Sequence, residues 1–209
     1  MALLRAGIEL RHGDIDRHDL AYAVDTGVVA CDIETSGLDW RKDSIGTCQI
    51  AMRDRLLVLI PSGHAPSNLR SLLENSRVQK VFHHATFDLR FMAYRWGVRP
   101  RNIACTKVAA KILEPGLDRA AYSLKPVLKR FLAVEISKDL QVSDWLAPHL
   151  SDEQLMYAAN DVLYLVDLCG TLRGACEAAG LGQELTESWR YLPVRVALDM
   201  RGSGDVFSY

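Results

Sequence analysis

The feature that most constrains the fold of this chain is a short apolar segment that runs into two carboxylates. Residues 27–32, GVVACD, are small and β-branched and begin with a glycine, which indicates a buried strand. Because side chains alternate along a strand, Asp32 and Glu34 lie on one face and Ile33 on the other. Adjacent carboxylates repel each other unless a cation lies between them, and hard oxygen ligands suit Mg²⁺ or Mn²⁺. Taken alone, the pattern favours the alternative of a strand that ends in a solvated acidic loop.

Other segments of the chain predict a mixed sheet flanked by helices. Two more strands at 44–51 and 55–60 form an antiparallel meander across a short polar turn, and a fourth strand covers 79–83. Helical spacing covers 68–75 and 86–96. The pair Ser151-x-x-Gln154 is a capping box that opens one long helix to about Ala179, and a last helix starts near Gln183 and breaks at Pro193. This order outlines an α/β fold of the ribonuclease-H-like (DnaQ-like) type.

Bulk composition narrows the class of protein. The 209 residues fit one domain, and the formal net charge of −1 argues against tight non-specific binding to long duplexes. The five cysteines show no CxxC spacing, which indicates reduced thiols and a cytoplasmic location. The first residues lack the apolar run of a secretory signal, and no stretch reaches transmembrane length, so no membrane partner is expected.

Two further carboxylates, Asp88 and Asp161, lie on predicted helices and could belong to the same site. Asp88 lies near the start of the helix after the fourth strand, where it could simply complement the helix dipole. Asp161 follows Tyr157 by four residues, so the two share a helix face, and Leu165 on that face indicates that it points into the protein. A buried aspartate needs a partner or a metal ion. Each pattern alone is weak.

The order of the three patterns resembles the DEDD exonuclease superfamily. Its motifs are a DxE pair on a strand, an FD pair about fifty residues later and a YxxxD pattern on a helix, and the tyrosine is typical of the DEDDy branch. From about residue 27 to 168 the chain closely resembles the ribonuclease D exonuclease domain. The segments that carry this resemblance are Tyr122-Ser123-Leu124-Lys125, Ser143-Asp144-Trp145 and 157–165.

The compact ends of the chain resemble the nano-ribonuclease C group within that family. The segments concerned are 11–15, 105–109 and the tail from 190 to 207. The resemblance implies one exonuclease domain over 1–209, with a core at about 27–180, a helical tail at about 183–209 and no HRDC domain. It also implies very short RNA substrates including dinucleotides, DNA in some members, and assembly into an octameric ring. It makes the tail a subunit interface in preference to packing on its own domain.

The family resemblance also implies roles for individual residues. Two divalent cations, Mg²⁺ or Mn²⁺, flank the scissile phosphate, and Asp32 bridges both. Glu34 and Asp161 complete the site of the cation that carries the nucleophile, Asp88 holds the other cation mainly through water, and Tyr157 orients the attacking water. A phenol with a pKa near ~10 is a poor base at neutral pH, which favours orientation over proton abstraction.

Substrate contacts follow from the same resemblance. The backbone near Thr35 meets the terminal 3′-hydroxyl and Leu38 wedges between the last two bases, unless it is an ordinary loop leucine. The candidates for phosphate or sugar contacts are Lys138, Gln141 and Ser143, with a solvated surface lysine as the alternative for Lys138.

Two adjacent histidines and a tryptophan remain open to more than one interpretation. His83 and His84 face opposite sides of a strand without a Cys or His partner at ligand spacing, so a core or rim position is favoured over a metal site. Stacking of His84 on substrate is the second interpretation. Trp145 is favoured as a core residue over a base-stacking one.

Two other functions compete with cleavage of short RNA. One is an exonuclease that acts on longer RNA or on DNA. The other is an inactive nucleic-acid-binding module, which the presence of all four carboxylates and Tyr157 disfavours, because degenerate domains usually lose a ligand.

Overall fold

The computed structural model describes residues 7–136 and 143–208. This part of the chain contains six strands, which are β1 Ile8–His12, β2 Val28–Thr35, β3 Ile45–Met52, β4 Arg55–Ile60, β5 Gln79–Phe82 and β6 Ile103–Cys105. They form one sheet in the order β1-β4-β3-β2-β5-β6. The meander β2–β3–β4 is antiparallel, whereas β1 pairs with β4, and β5 with β2 and β6, in parallel. The predicted meander and the mixed sheet are confirmed.

Helices flank this sheet. Within the described ranges they are α1 Arg17–Thr26, α2 Ser67–Glu74, α3 Ala85–Trp96, α4 Thr106–Leu113, α5 Leu124–Leu132, α6 Asp152–Leu163, α7 Leu165–Ala178 and α8 Gly182–Met200, with a 3₁₀ turn at Arg119–Tyr122. Helix α6 lies across β2, β3 and β4, whereas α7 packs on α4, α5 and α8. No helix in these ranges combines the length and apolar character needed to cross a lipid bilayer.

The single long helix predicted from Ser151 to Ala179 is wrong. The capping box is present at Ser151, but α6 ends at Leu163 and α7 starts at Leu165, with Tyr164 between them at φ −107° and ψ 0°. The two helices have different main neighbours, since α6 packs chiefly on β2, β3 and β4, whereas α7 packs chiefly on α4, α5 and α8 and also contacts β2 and β5. A capping box and a terminal glycine mark the ends of a helical run and do not report a break within it.

The predicted break at Pro193 is also wrong, because α8 continues through this residue to Met200. Proline removes one backbone hydrogen bond and strains the preceding turn. Leu185, Trp189, Leu192 and Val196 are all buried at helical spacing on α8, and this packing against α3, α4 and α7 keeps the helix continuous. Tertiary packing therefore outweighs the local cost of the proline.

A buried ion cluster fixes β1, which the sequence analysis did not predict, at the edge of the sheet. Asp19 of α1 has no exposed side-chain surface and accepts hydrogen bonds from Arg11 Nε at 2.7 Å and from Arg55 Nη2 at 2.7 Å. Glu9 of β1 also accepts from Arg55 Nη2, at 2.6 Å. Burial raises the pKa of Asp19, but the hydrogen bonds and charges of the two arginines outweigh it and hold the pKa below its usual value. The cluster therefore ties β1, α1 and β4 together.

A close approach at Gly46 positions the chain that precedes α6. A Cβ atom at this position would lie 2.3 Å from the Trp145 carbonyl oxygen, so β3 can accept the Trp145 backbone only because residue 46 is glycine. Trp145 is 3% exposed and packs with Tyr157 and Ala158 of α6. The ladder between β2 and β3 has an irregularity at Glu34 and Thr35, beside this contact. The tryptophan is thus a core residue, as favoured, and it braces the start of α6 against the sheet.

Candidate active site

Three carboxylates from β2 and α6 converge at one end of the sheet. Asp32 and Glu34 share a face of β2, and α6 lies across that face with Asp161 one turn beyond Tyr157. One carboxylate oxygen from each of Asp32, Glu34 and Asp161 lies within 4.8 Å of the other two. All three side chains are partly buried. This grouping brings together residues that lie more than 120 positions apart in the sequence.

Asp88 supplies a fourth carboxylate from the first turn of α3. It is 2% exposed, and its Oδ1 accepts a hydrogen bond from the backbone N–H of Ile33 at 3.2 Å. Ile33 lies between Asp32 and Glu34, so this bond fixes α3 to the strand that carries the other two acids. The carboxyl groups of Asp88 and Asp32 also lie close enough for each to affect the ionisation of the other.

Burial and mutual repulsion change the acidity of this group. Burial, followed by the charges of Asp88 and Asp161, raises the pKa of Asp32 well above its usual value. Burial and the charges of Asp161 and Asp88 raise the pKa of Glu34 to about 8. Burial also raises the pKa of Asp88 to about 7, against the lowering effect of hydrogen bonds from its own amide and that of Ile33. Ionisation of these acids is therefore unfavourable in the metal-free protein, and a bound cation makes it less unfavourable.

The donor set fits divalent cations such as Mg²⁺ and Mn²⁺. These ions take oxygen ligands, and carboxylates within 4.8 Å of one another can share one ion. Asp32, Glu34 and Asp161 are the residues that could hold a first ion, and Asp88, whose charge acts on Asp32, stands beside them.

Tyr157 lies beside this group with its ring against Trp145. The ring centroids are 5.9 Å apart, and Tyr157 is 9% exposed. Burial and the charges of Asp161 and Glu34 raise the pKa of the phenol above its usual value. A phenol that holds its proton this firmly can donate or accept a hydrogen bond to a water molecule but is a poor base.

A cavity of about 700 Å³ opens above the carboxylates. Thr35, Leu38, His84 and Ser143 line it together with the four acids and Tyr157. Leu38 is 83% exposed on the loop that follows β2. The Thr35 hydroxyl donates to the carbonyl of Gly37 at 2.7 Å, and the Ser143 hydroxyl accepts from Gln154 at 2.7 Å. Both hydroxyls thus have partners within the protein.

The two histidines take different positions. His83 is buried, with Nδ1 2.8 Å from the Thr106 hydroxyl and Nε2 2.9 Å from the Tyr122 carbonyl, so it joins the core. His84 lies at the rim of the cavity with its ring stacked on Phe87 at 6.1 Å. Neighbouring protein atoms, and then the charge of Lys107, lower the pKa of His84 to about 4, so its ring is neutral near pH 7.

Two predicted contacts and one unforeseen residue complete the comparison with the sequence. Lys138 and Gln141 lie outside the described residues. Phe87 lines the cavity next to Asp88 and was not singled out, because an aromatic residue at helical spacing is more often a core residue. Its position directly before the FD aspartate is the signal that could have identified it.

Comparison with known proteins shows the family. A family model described as 3′-5′ exonuclease matches residues 16–177. DNA polymerase I of Aquifex aeolicus (strain VF5) is 36% identical over 122 residues, which are 57% of this chain and 20% of that protein. Ribonuclease D of Nitrobacter hamburgensis is 33% identical over 121 residues, 58% of this chain and 31% of that protein. The chain spans less than a third of the length of these relatives.

Solved structures match nearly the whole chain. NrnC of Brucella melitensis bound to pGG is 34% identical with a TM-score of 0.88, over 97% of this chain and 98% of that chain. The same protein with bound Mg²⁺ is 33% identical with a TM-score of 0.88, over the same shares. Ribonuclease D of Escherichia coli, at 21% identity and a TM-score of 0.79 over 90% of this chain and 50% of that chain, shares the fold.

These matches confirm the expected ribonuclease-H-like exonuclease fold and the resemblance inferred from the motifs. The family model covers more than half of the chain, and the NrnC structures match it from end to end. This chain belongs to the 3′-5′ exonuclease family, in the ribonuclease D group that includes NrnC.

Proposed function

We propose that this chain is a metal-dependent 3′→5′ exonuclease that hydrolyses phosphodiester bonds and releases nucleoside 5′-monophosphates, with short RNA including dinucleotides as its main substrate. The observation that carries the proposal is the convergence of Asp32, Glu34 and Asp161 within 4.8 Å, beside a nearly fully buried Asp88. Like charges gathered at the floor of an open cavity serve to hold cations at a reacting phosphate.

Each residue of this site has its own role in the proposed reaction. Two bound divalent cations, Mg²⁺ or Mn²⁺, supply activation of water and charge stabilisation at the phosphate. Asp32, grouped with Glu34 and Asp161 and close to Asp88, would help to hold both cations. Tyr157, which keeps its proton, orients the attacking water beside Asp161. Asp88, fixed to β2 through the Ile33 N–H, would help to hold the second cation.

Features of the cavity support a short substrate. A volume of about 700 Å³ suits one or two nucleotides rather than an extended strand. The exposed Leu38 stands where it can separate the last two bases, and the backbone at Thr35 lines the same cavity for the terminal 3′-hydroxyl. Ser143, together with Lys138 and Gln141, supplies the remaining sugar and phosphate contacts in this proposal. Brucella melitensis NrnC, which matches end to end, was solved with the dinucleotide pGG.

Replacement of one acid tests the chemistry. Asp161→Asn keeps the size of the side chain and removes a charge that would hold a cation, so the rate of 3′ shortening of a 5′-labelled oligoribonucleotide with Mn²⁺ is expected to fall by at least about 100-fold. Asp167→Asn, an exposed aspartate on α7, serves as the matched control and keeps wild-type activity. A wild-type protein without 3′ shortening supports the inactive binding module, and an active Asp161→Asn refutes the role of this site.

Substrate length separates the main proposal from its alternative. Because the cavity accepts few nucleotides and the net charge is only −1, kcat/KM is expected to be at least about 10-fold higher for a dinucleotide than for an RNA of about 20 nucleotides or for duplex DNA. Steady-state rates on the three substrates at one salt concentration provide the measurement. Equal or faster cleavage of the longer substrates favours an enzyme that processes long RNA or DNA.

The raised pKa values of these carboxyl groups predict how stability depends on pH. The pKa of a carboxyl group in the unfolded chain is ~4, whereas the pKa of Glu34 in the folded protein is about 8. Between these two pH values the folded protein binds more protons than the unfolded chain. The metal-free melting temperature is therefore expected to fall as pH rises through this window, and Mg²⁺ is expected to raise it more at about pH 8 than at about pH 5. Thermal melts with EDTA or Mg²⁺ measure this, and the double variant Asp32→Asn/Glu34→Gln flattens the difference. Parallel curves for the two conditions contradict the cation site.

Assembly and location complete the proposal: an octameric ring in a reducing cytoplasm. Apolar residues are exposed at Val194, Val206 and Phe207 near the end of the chain, and Phe207 packs on Tyr191 with ring centroids 5.4 Å apart. An exposed apolar cluster of this kind suits a subunit interface. The five cysteines are buried and unpaired, in keeping with a reducing compartment. Sedimentation is expected to give about eight times the chain mass of 23.3 kDa, and a monomer contradicts the ring.

A further inference from the structure

Strand β3 carries two polar side chains directly beside the carboxylates of β2. In the antiparallel ladder, Gln49 stands opposite Asp32 and Thr47 stands opposite Glu34. Side chains that face each other in such a ladder lie on the same face of the sheet, with Cβ atoms about 5 Å apart. Neither residue belongs to the DxE, FD or YxxxD pattern, and the function as proposed does not use them.

Both polar residues are buried in an otherwise apolar strand. Thr47 and Gln49 have no exposed surface, and every residue of β3 is buried. Gln49 Nε2 donates to Thr47 Oγ1 at 2.6 Å, while Gln49 Oε1 has no hydrogen-bond partner among the described residues. A buried polar atom without a partner destabilises the fold, because it has lost its hydrogen bonds to water. An apolar side chain of the same size would avoid this cost, so the position of the amide calls for a reason other than packing.

The Thr47–Gln49 pair can donate a hydrogen bond to an adjacent carboxylate. A threonine hydroxyl can both donate and accept a hydrogen bond, and a glutamine amide presents a donor end and an acceptor end. Gln49 can therefore turn about its last torsion and keep its bond to Thr47 in either orientation. One orientation frees the acceptor and the other frees the NH₂ donors, so the amide can meet the neighbouring carboxylate as a donor when that group is ionised beside a cation.

We propose that Thr47 and Gln49 are positioning residues for the exonuclease site: Gln49 supports the Asp32 carboxylate in its cation-bound orientation, and Thr47 holds the Gln49 amide in place. This inference rests on the proposed function. Groups that hydrogen-bond to metal-ligating carboxylates fix their direction, and their loss typically lowers metal affinity or activity by 10–100-fold. The pair acts through Asp32 and does not touch substrate.

The variant Gln49→Met tests the pair because methionine fills a similar volume without the amide. The Mg²⁺ concentration for half-maximal activity is expected to rise about 10–100-fold, and Mg²⁺ affinity measured by calorimetry is expected to fall by a similar factor. The KM for a dinucleotide at saturating Mg²⁺ is expected to stay unchanged. The free energy of unfolding of the metal-free protein is expected to stay equal or increase, because the unpartnered oxygen is gone.

Substitutions at Thr47 provide the matched control. Thr47→Val keeps the shape and removes the hydroxyl, so it is expected to weaken Mg²⁺ binding in the same direction as Gln49→Met, whereas Thr47→Ser keeps the hydroxyl and restores wild-type Mg²⁺ dependence. A loss of stability with unchanged Mg²⁺ affinity assigns the pair a packing role and overturns the inference.

Calorimetry distinguishes failure of this inference from failure of the proposed function. If wild-type protein degrades a dinucleotide and Gln49→Met binds Mg²⁺ equally well, the inference fails and the function stands. If wild-type protein binds Mg²⁺ without cleaving RNA, the enzyme proposal fails, and weaker Mg²⁺ binding by Gln49→Met still supports the positioning role. If wild-type protein binds no Mg²⁺, both are overturned.

Discussion

The structure depends on one unfavourable interaction, the repulsion among carboxylates that are held together at the end of β2. Burial and neighbouring charges raise the pKa values of Asp32, Glu34 and Asp88, so the folded protein alone resists ionising them. Such a group persists only if rigid elements force it into place. Here a central strand, the first turn of one helix and the face of a second helix each contribute acids, and none of these elements can move separately without breaking the sheet or its helix packing.

The helix arrangement follows from the need to bring Asp161 to β2. Helix α6 lies across the meander, and the chain then turns at Tyr164 so that α7 can pack on α4 and α5. At the other end of α6, Gly46 lets the Trp145 backbone approach β3, and Trp145 in turn supports Tyr157. The orientation of the phenol beside Asp161 therefore depends on a glycine in a strand more than 100 residues away.

The sequence predicted those parts of the fold in which a local pattern decides the structure. The buried run before Asp32 and the alternation beyond it specify β2, and the motif order specifies which acids share the site. It did not predict β1, because this strand of five residues is held by ion pairs from its own Glu9 and Arg11 to Asp19 of α1 and Arg55 of β4, which a hydrophobic pattern does not report. The continuity of α8 through Pro193 likewise comes from packing on other helices.

Gln49 illustrates why motifs alone miss part of an active site. A glutamine within an apolar strand carries no spacing signal, and only the ladder register reveals that it faces Asp32. The repulsion among the acids and the unpartnered amide oxygen are both costs to the metal-free fold, and they occur on the same face of neighbouring strands. The cation-bound state would remove both costs, because it neutralises charges on the acids and gives the amide an ionised partner to which it can donate.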